Sequence, residues 1–181
     1  MDVSSLNREY SIHKPSVVDA GYLVGKNTRI WYLTQIKSGS AMGQNVFIPS
    51  TVHIENGVKI QNNVSRYEGV VIEDDVFLGS SCGFTHVMNP RAAVESISEY
   101  KTALIKEKAS IGANATVVCG VTISKFAFVG AGAAVTKDTS DYELVVGNPS
   151  KCFGWMSEHG EKLCFKQNVL ATCYAQIQST T

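Results

Sequence analysis

Residues 46–64 read Val46-Phe47-Ile48-Pro49-Ser50-Thr51-Val52-His53-Ile54-Glu55-Asn56-Gly57-Val58-Lys59-Ile60-Gln61-Asn62-Asn63-Val64. Isoleucine recurs every six residues, at 48, 54 and 60, and valine keeps the same spacing two residues ahead of it. Working outward, the isoleucine phase runs Ile12, Val18, Val24, Ile30, Ile36, Met42, Ile48, Ile54, Ile60, Arg66, Ile72, Leu78, Phe84, with twelve of thirteen positions apolar. A second series follows: Ile105, Ile111, Val117, Ile123, Val129, Val135. Four residues beyond most members stands a small or β-branched residue, such as Thr28, Ser40, Cys82, Ala109 or Ala127. Three residues beyond, Gly, Asn and Asp dominate, as at Gly39, Asn45, Gly57, Asn63, Asp75, Asn114 and Gly132. Those types tolerate the tight-turn backbone that other side chains resist. A six-residue period fits neither a helix nor simple strand alternation. It fits short strands joined by sharp corners, three to a triangular coil. Parallel neighbours about 4.8 Å apart then build a prism of about six coils, roughly 30 Å long. An ordinary β-sandwich does not hold one phase through thirteen units.

The phase stops after Phe84 and resumes at Ile105, shifted by three residues. The expected organisation is one domain, 1–181. Coils occupy 12–89 and 105–140, a loop protrudes over 85–104, and an irregular segment, 141–181, caps the end with Trp155, Met156 and Leu163. A loop of this size in a repeat protein is usually functional. Arg66 is an ionic group at an otherwise apolar position, and should pair with a carboxylate such as Glu68 or turn outward.

The formal net charge is zero and no basic run occurs, which argues against a nucleic-acid partner. No apolar stretch approaches a membrane span and the first ten residues carry no apolar leader, so the expected compartment is the cytoplasm. Five cysteines, with no C-x-x-C pair, read as free thiols in a reducing environment.

Three hexads, Ile111-Gly112-Ala113-Asn114-Ala115, Val129-Gly130-Ala131-Gly132-Ala133 and Val146-Gly147-Asn148-Pro149-Ser150-Lys151, resemble those of the hexapeptide-repeat acyltransferases. Further segments narrow the resemblance: Gln61-Asn62-Asn63-Val64-Ser65, Glu73-Asp74-Asp75-Val76-Phe77, Phe84-Thr85-His86-Val87-Met88-Asn89-Pro90-Arg91-Ala92 and Gly154-Trp155-Met156-Ser157-Glu158. Over roughly residues 12–165 the chain looks like the bacterial UDP-2-acetamido-3-amino-2,3-dideoxy-glucuronate N-acetyltransferases of O-antigen pathways. The resemblance implies a left-handed β-helix, acetyl-CoA as cosubstrate, and a homotrimer with sites between subunits. Where this chain has His86 that group commonly has Asn. Where it reads Trp31-Tyr32-Leu33 the group commonly reads Trp-His-Phe, which places Tyr32 near the sugar. The dTDP-3-amino-3,6-dideoxyhexose N-acetyltransferases share the fold and the reaction and are the alternative.

Moving an acetyl group from a thioester to an amine needs alignment, oxyanion stabilisation and a destination for one proton. No Ser-His-acid triad is required. His86, at the loop entrance, either accepts that proton or positions the amine. Asn62, Asn63 and Ser65 are candidates for substrate oxygens, with turn formation the competing role for Asn63. Arg91 suits a diphosphate, and Tyr100 and Lys101 complete the loop's substrate candidates. The small corners at Ala113, Gly130 and Ala131, with Pro149, would let a pantetheine arm lie close. Lys137 and Lys151 would meet the phosphates of CoA unless they are ordinary surface charges. Four dispersed histidines, His13, His53, His86 and His159, give no expected metal site. A non-catalytic scaffold is the remaining class, opposed by the loop and by Gly147-Asn148-Pro149-Ser150-Lys151.

Overall fold

The structure, a computed structural model, describes residues 10–31, 33–50, 52–65, 70–89, 91 and 101–163. These form a three-faced parallel β-helix of about seven turns, with no helix among the described residues. The first face stacks Ser11–Ile12, Arg29–Ile30 and Phe47–Ile48, continues through bridges at Ser65, and ends with Gly83–Phe84, Thr116–Val117 and Ala134–Val135. The second runs from Val17–Val18 to Thr122–Ile123. The third runs from Leu23–Val24 through Phe128–Val129 to Glu143–Val146.

Each rung follows from the six-residue pattern. The apolar i residue and the small residue four further on both point inward. Ile30, Ile36, Ile48, Ile54, Ile60, Ile72, Ile105, Ile111 and Ile123 are buried, as are Val46, Val52, Val58, Ala109 and Ala127. The residue between two rungs takes a left-handed backbone, with φ of 58° at Asn27, 55° at Asn45 and 56° at Asn114. Leu33, Lys108 and Phe126 adopt the same conformation with φ of 57°, 59° and 57°, which costs roughly 1–2 kcal/mol each for such side chains. In the early coils the small inward residue is a hydroxyl. Thr28, Thr34 and Ser40 donate to the carbonyls of Gly43, Pro49 and Glu55 at 2.8, 3.0 and 2.9 Å, so these buried polar atoms are satisfied.

The turn count exceeds the six expected. Val145 sits sixteen residues after its partner Val129 rather than eighteen, outside the hexad phase, yet it is buried and pairs in register. The coils therefore extend to Val146 on the third face. Lys151–Met156 and Lys162–Leu163 then add antiparallel to that sheet and cover its edge. Ala103 and Leu104, assigned to the loop from sequence, already pair with Val70 and Val71. Arg66 and Glu68 lie outside the described residues.

At the last turns Phe126 and Tyr142 stack at 4.7 Å with rings 3° from parallel, and the Tyr142 hydroxyl donates to Glu158 at 3.0 Å. Burial, then the carboxylate of Glu158, pushes the Tyr142 phenol up to about 12 from 10.0. The folded chain thus holds the proton more tightly than the unfolded one. The stability this contributes is fully present below pH 10 and is lost as pH rises through about 12. Tyr142→Phe is expected to flatten the fall in thermal midpoint between those pH values. A slope equal to that of the parent chain would show that Tyr142 plays no part in alkaline unfolding.

Candidate functional site

The coil has three corners, and two carry the candidate residues. One corner, between the third and first faces, holds a glycine column: Gly25, Gly43, Gly79, Gly112 and Gly130. The next coil explains it. A Cβ on Gly79 would stand 2.6 Å from the Ala113 nitrogen, and one on Gly112 would stand 2.5 Å from the Ala131 nitrogen. One on Gly130 would meet the Val146 side chain at 2.7 Å. The space that Gly79, Gly112 and Gly130 leave open is filled by the chain itself. The outward positions on this corner are the residues after the glycines, Ala113, half-buried, and Ala131, exposed. Gly132 faces open space, with φ of 70°.

Asn62 and Asn63 occupy the same corner, lower down. The Asn62 Oδ1 accepts a hydrogen bond from the Gln44 amide at 2.7 Å. Asn63 has φ of 58° and donates its amide to the Gln44 carbonyl at 2.9 Å. Both are engaged in joining coils, and Asn63 has the turn geometry. Ser65 is exposed on the first face, bridging Phe47 and Gly83. Pro149 lies in the turn over the end of that face, where Ser150 donates to the Ala134 carbonyl at 2.8 Å. Lys151 pairs with Val146 at the top of the glycine corner and is exposed.

The other corner, between the first and second faces, is where the loop leaves. Gly83 pairs with Thr116, thirty-three residues on, against eighteen from Lys59 to Phe77, so the insertion amounts to fifteen residues. Its root is well defined. The Thr85 amide donates to the Val117 carbonyl at 3.0 Å, and the Thr85 Oγ1 accepts from the Cys119 amide at 2.9 Å. The Lys101 amide donates to the His86 carbonyl at 3.3 Å, closing the loop on itself. His86 is half-buried there, in register with buried Cys119 on the next coil and with exposed Lys137 on the one after. The Lys101 stem lies against Gly120: a Cβ at that glycine would stand 3.1 Å from the Lys101 Cδ. Arg91 is exposed; Tyr32 and Tyr100 lie outside the described residues. Further down this corner Trp31 stacks on His13 at 4.4 Å and meets Phe47 edge-on at 6.5 Å.

The structure therefore gathers His86, Lys101 and Lys137 at the loop corner and Ala113, Gly130, Ala131 and Lys151 at the glycine corner. The first face lies between, about 15 Å across at a strand rise of about 3.3 Å per residue. Sequence reasoning missed Thr85, Cys119 and Gly120. Their signal was hidden, because Gly120 occupies a turn position and reads as one more corner glycine. Among the described residues no three His, Cys, Asp or Glu side chains are grouped to hold a metal ion. No helix among them is long and apolar enough to cross a membrane.

Among the described residues, a parallel prism of six-residue rungs with an insertion rooted at a histidine defines the class. A family model described as the hexapeptide repeat of succinyl-transferase matches residues 69–87 and 107–137. Over those two segments the chain is similar to the hexapeptide-repeat acyltransferases. It is 45% identical over 65 residues to the dTDP-3-amino-3,6-dideoxy-alpha-D-galactopyranose 3-N-acetyltransferase of Aneurinibacillus thermoaerophilus, a match covering 36% of this chain and 34% of that one. The chain spans less than two thirds of the length of the curated relatives it matches first. Among solved structures, a hexapeptide transferase family protein of Anaplasma phagocytophilum is 18% identical with a TM-score of 0.63, over 80% of this chain and 81% of that one. A hexapeptide-repeat containing acetyltransferase of Vibrio cholerae O1 biovar eltor, solved with acetyl coenzyme A, is 22% identical with a TM-score of 0.54, over 81% and 70%.

Proposed function

We propose that this chain is an acetyl-CoA-dependent N-acetyltransferase that acts on the amino group of a nucleotide-linked 3-amino sugar, in cytoplasmic synthesis of surface polysaccharide. The observation that carries the reading is the fifteen-residue insertion rooted at His86 in the prism that the described residues form. The segment 45% identical to a dTDP-3-amino-sugar N-acetyltransferase supports the amine as acceptor. Two sugars follow from two observations. The Gln61–Ser65 and Phe84–Ala92 segments favour UDP-2-acetamido-3-amino-2,3-dideoxy-glucuronate, and the 45% identical relative favours a dTDP-3-amino-3,6-dideoxyhexose.

In this reading the neutral amine attacks the thioester carbonyl carbon, a C–N bond forms, and the C–S bond breaks as CoA leaves as its thiolate. The amine's surplus proton passes to the His86 imidazole and on to the thiolate, giving the amide and free CoA. If His86 only positions the amine, the thiolate takes the proton itself. The pantetheine arm would run along the outward methyls of Ala113 and Ala131, with Lys151 at its phosphate end and Pro149 beside it. His86 and that corner lie on opposite edges of one face. One prism cannot close both around a reacting pair, so the site needs a second copy, and we propose a homotrimer with sites between subunits.

A panel of UDP- and dTDP-linked 3-amino sugars with acetyl-CoA tests the function. Acetylation of one nucleotide class at least tenfold above the other in kcat/KM would assign the substrate. Absence of transfer to all of them, with no thermal stabilisation by acetyl-CoA, would favour the scaffold class. Sedimentation is expected to give a trimer, and a monomer of full activity would refute the shared site.

A further inference from the structure

We propose that Lys101 and Lys137 form a two-cation seat for an organic diphosphate at the loop corner, with Gly120 as the floor that positions Lys101. The inference rests on the nucleotide-sugar reading and assigns to the sugar nucleotide a lysine, Lys137, that the sequence pattern pairs with CoA.

Three observations combine. First, both ammonium groups are uncommitted: neither lysine makes an ion pair among the described residues, and both are exposed. The carboxylate beside Lys137, Asp138, is occupied by the Thr122 amide at 2.8 Å. Second, the lysines come to one place from sequence positions far apart. Lys101 arrives through the loop, tied by its amide to the His86 carbonyl. Lys137 stands on the rung above Cys119, in the same column as His86. Successive rungs lie about 4.8 Å apart, so the Lys137 backbone stands about 10 Å above that of His86, within reach of a long side chain. Third, Lys101 is held. Its stem rests on Gly120, where a Cβ would stand 3.1 Å from Cδ and 3.5 Å from the Lys101 Cβ. A side chain there would make the Lys101 stem give by a few tenths of an ångström. A point charge held at its stem suits a phosphate ester, and a diphosphate has an oxygen for each of two such charges. Gly120 is a positioning residue and touches no substrate.

Two ligands offer a diphosphate: the sugar nucleotide and the adenosine end of CoA. Calorimetry on the full chain with UDP, dTDP and CoA separates them. Lys101→Ala and Lys137→Ala are each expected to weaken the preferred nucleoside diphosphate about tenfold, the scale of one charge-assisted contact, with CoA affinity unchanged. Gly120→Asn should reproduce the Lys101→Ala loss, because asparagine accepts the left-handed backbone (φ of 80°) but fills the floor. Gly21→Asn is the control, with φ of 83° and nothing within 4 Å; it should bind like the parent. Tryptic cleavage after Arg91 should also quicken in Gly120→Asn and not in Gly21→Asn, a readout that needs no ligand. Unchanged nucleoside diphosphate affinity in the double lysine variant, with the parent binding normally, would overturn the seat and leave the transferase reading standing. Loss of CoA affinity alone would overturn the assignment to the sugar nucleotide. A parent chain that binds neither UDP nor dTDP would overturn both the seat and the nucleotide-sugar reading.

Discussion

Replacing His86 with alanine is expected to lower kcat/KM for the amino-sugar substrate about 100-fold while leaving the assembly intact. General bases contribute about 10²- to 10⁴-fold, and an amine that is nucleophilic without help from a base should fall at the low end. Assembly is expected to survive because the Thr85 side chain and backbone atoms of His86, Lys101 and Val117 tie the loop root whatever residue stands at 86. His86→Asn separates the two roles: asparagine can hold the amine but cannot take its proton near neutral pH. Near-parent rates in the Asn variant would assign His86 to positioning. A loss equal to that of the Ala variant, with disappearance of the acidic limb of the pH–rate profile, would assign it as the base. Parent-like kcat/KM in the Ala variant would remove His86 from the mechanism.

Replacing Gly112 with alanine is expected to destabilise the fold by about 3 kcal/mol, at the upper end of ordinary overpacking. That corresponds to a fall of about 6–12 °C in thermal midpoint for a domain of this size. The added methyl would stand 2.5 Å from the Ala131 nitrogen and 2.7 Å from the Gly130 carbonyl carbon. Both are backbone atoms locked into the next rung, where Gly112 donates to the Val129 carbonyl at 2.8 Å, so neither can move aside without parting the coils. Gly21→Ala gives the scale for backbone strain without collision, roughly 1–2 kcal/mol, because that glycine faces open space. Equal midpoints for the two variants would mean that the glycine column does not carry coil stacking. Activity lost in Gly112→Ala with no change in midpoint would return the column to a ligand-binding role.

The glycine column shows a structural role that the repeat pattern does not display. Gly112 and Gly130 stand out because small residues let another chain or ligand approach, and the structure shows that what approaches is the protein's own next coil. Asn62 is a similar case: its side chain is used by the Gln44 amide. Turn preference, by contrast, was visible at Asn63, whose φ of 58° is the conformation its position in the hexad implies. Cys119 and Gly120 carried no visible signal, since burial beneath the loop root and contact with Lys101 both arise from the chain's return after the insertion.

By itself the sequence determined the period, the inward residues and the corners. Each depends on a repeat of six that every rung satisfies locally, and burial of Ile54, Ile60 and Ile72 follows whichever face they occupy. Which face a residue joins is a different matter. The hydrophobic phase repeats every six residues, but a face returns only every eighteen. From Phe84 to Ile105 the chain advances twenty-one residues, and that phase is satisfied by an insertion of three, nine or fifteen, each landing Ile105 on a different face. Only the pairing of Val70 with Ala103 and of Gly83 with Thr116 selects fifteen. That choice puts Lys101 on Gly120, Lys137 in the column of His86, and Ala113 and Ala131 a face away, because rung-to-rung hydrogen bonding, and not hydrophobic pattern, decides where an interrupted coil resumes.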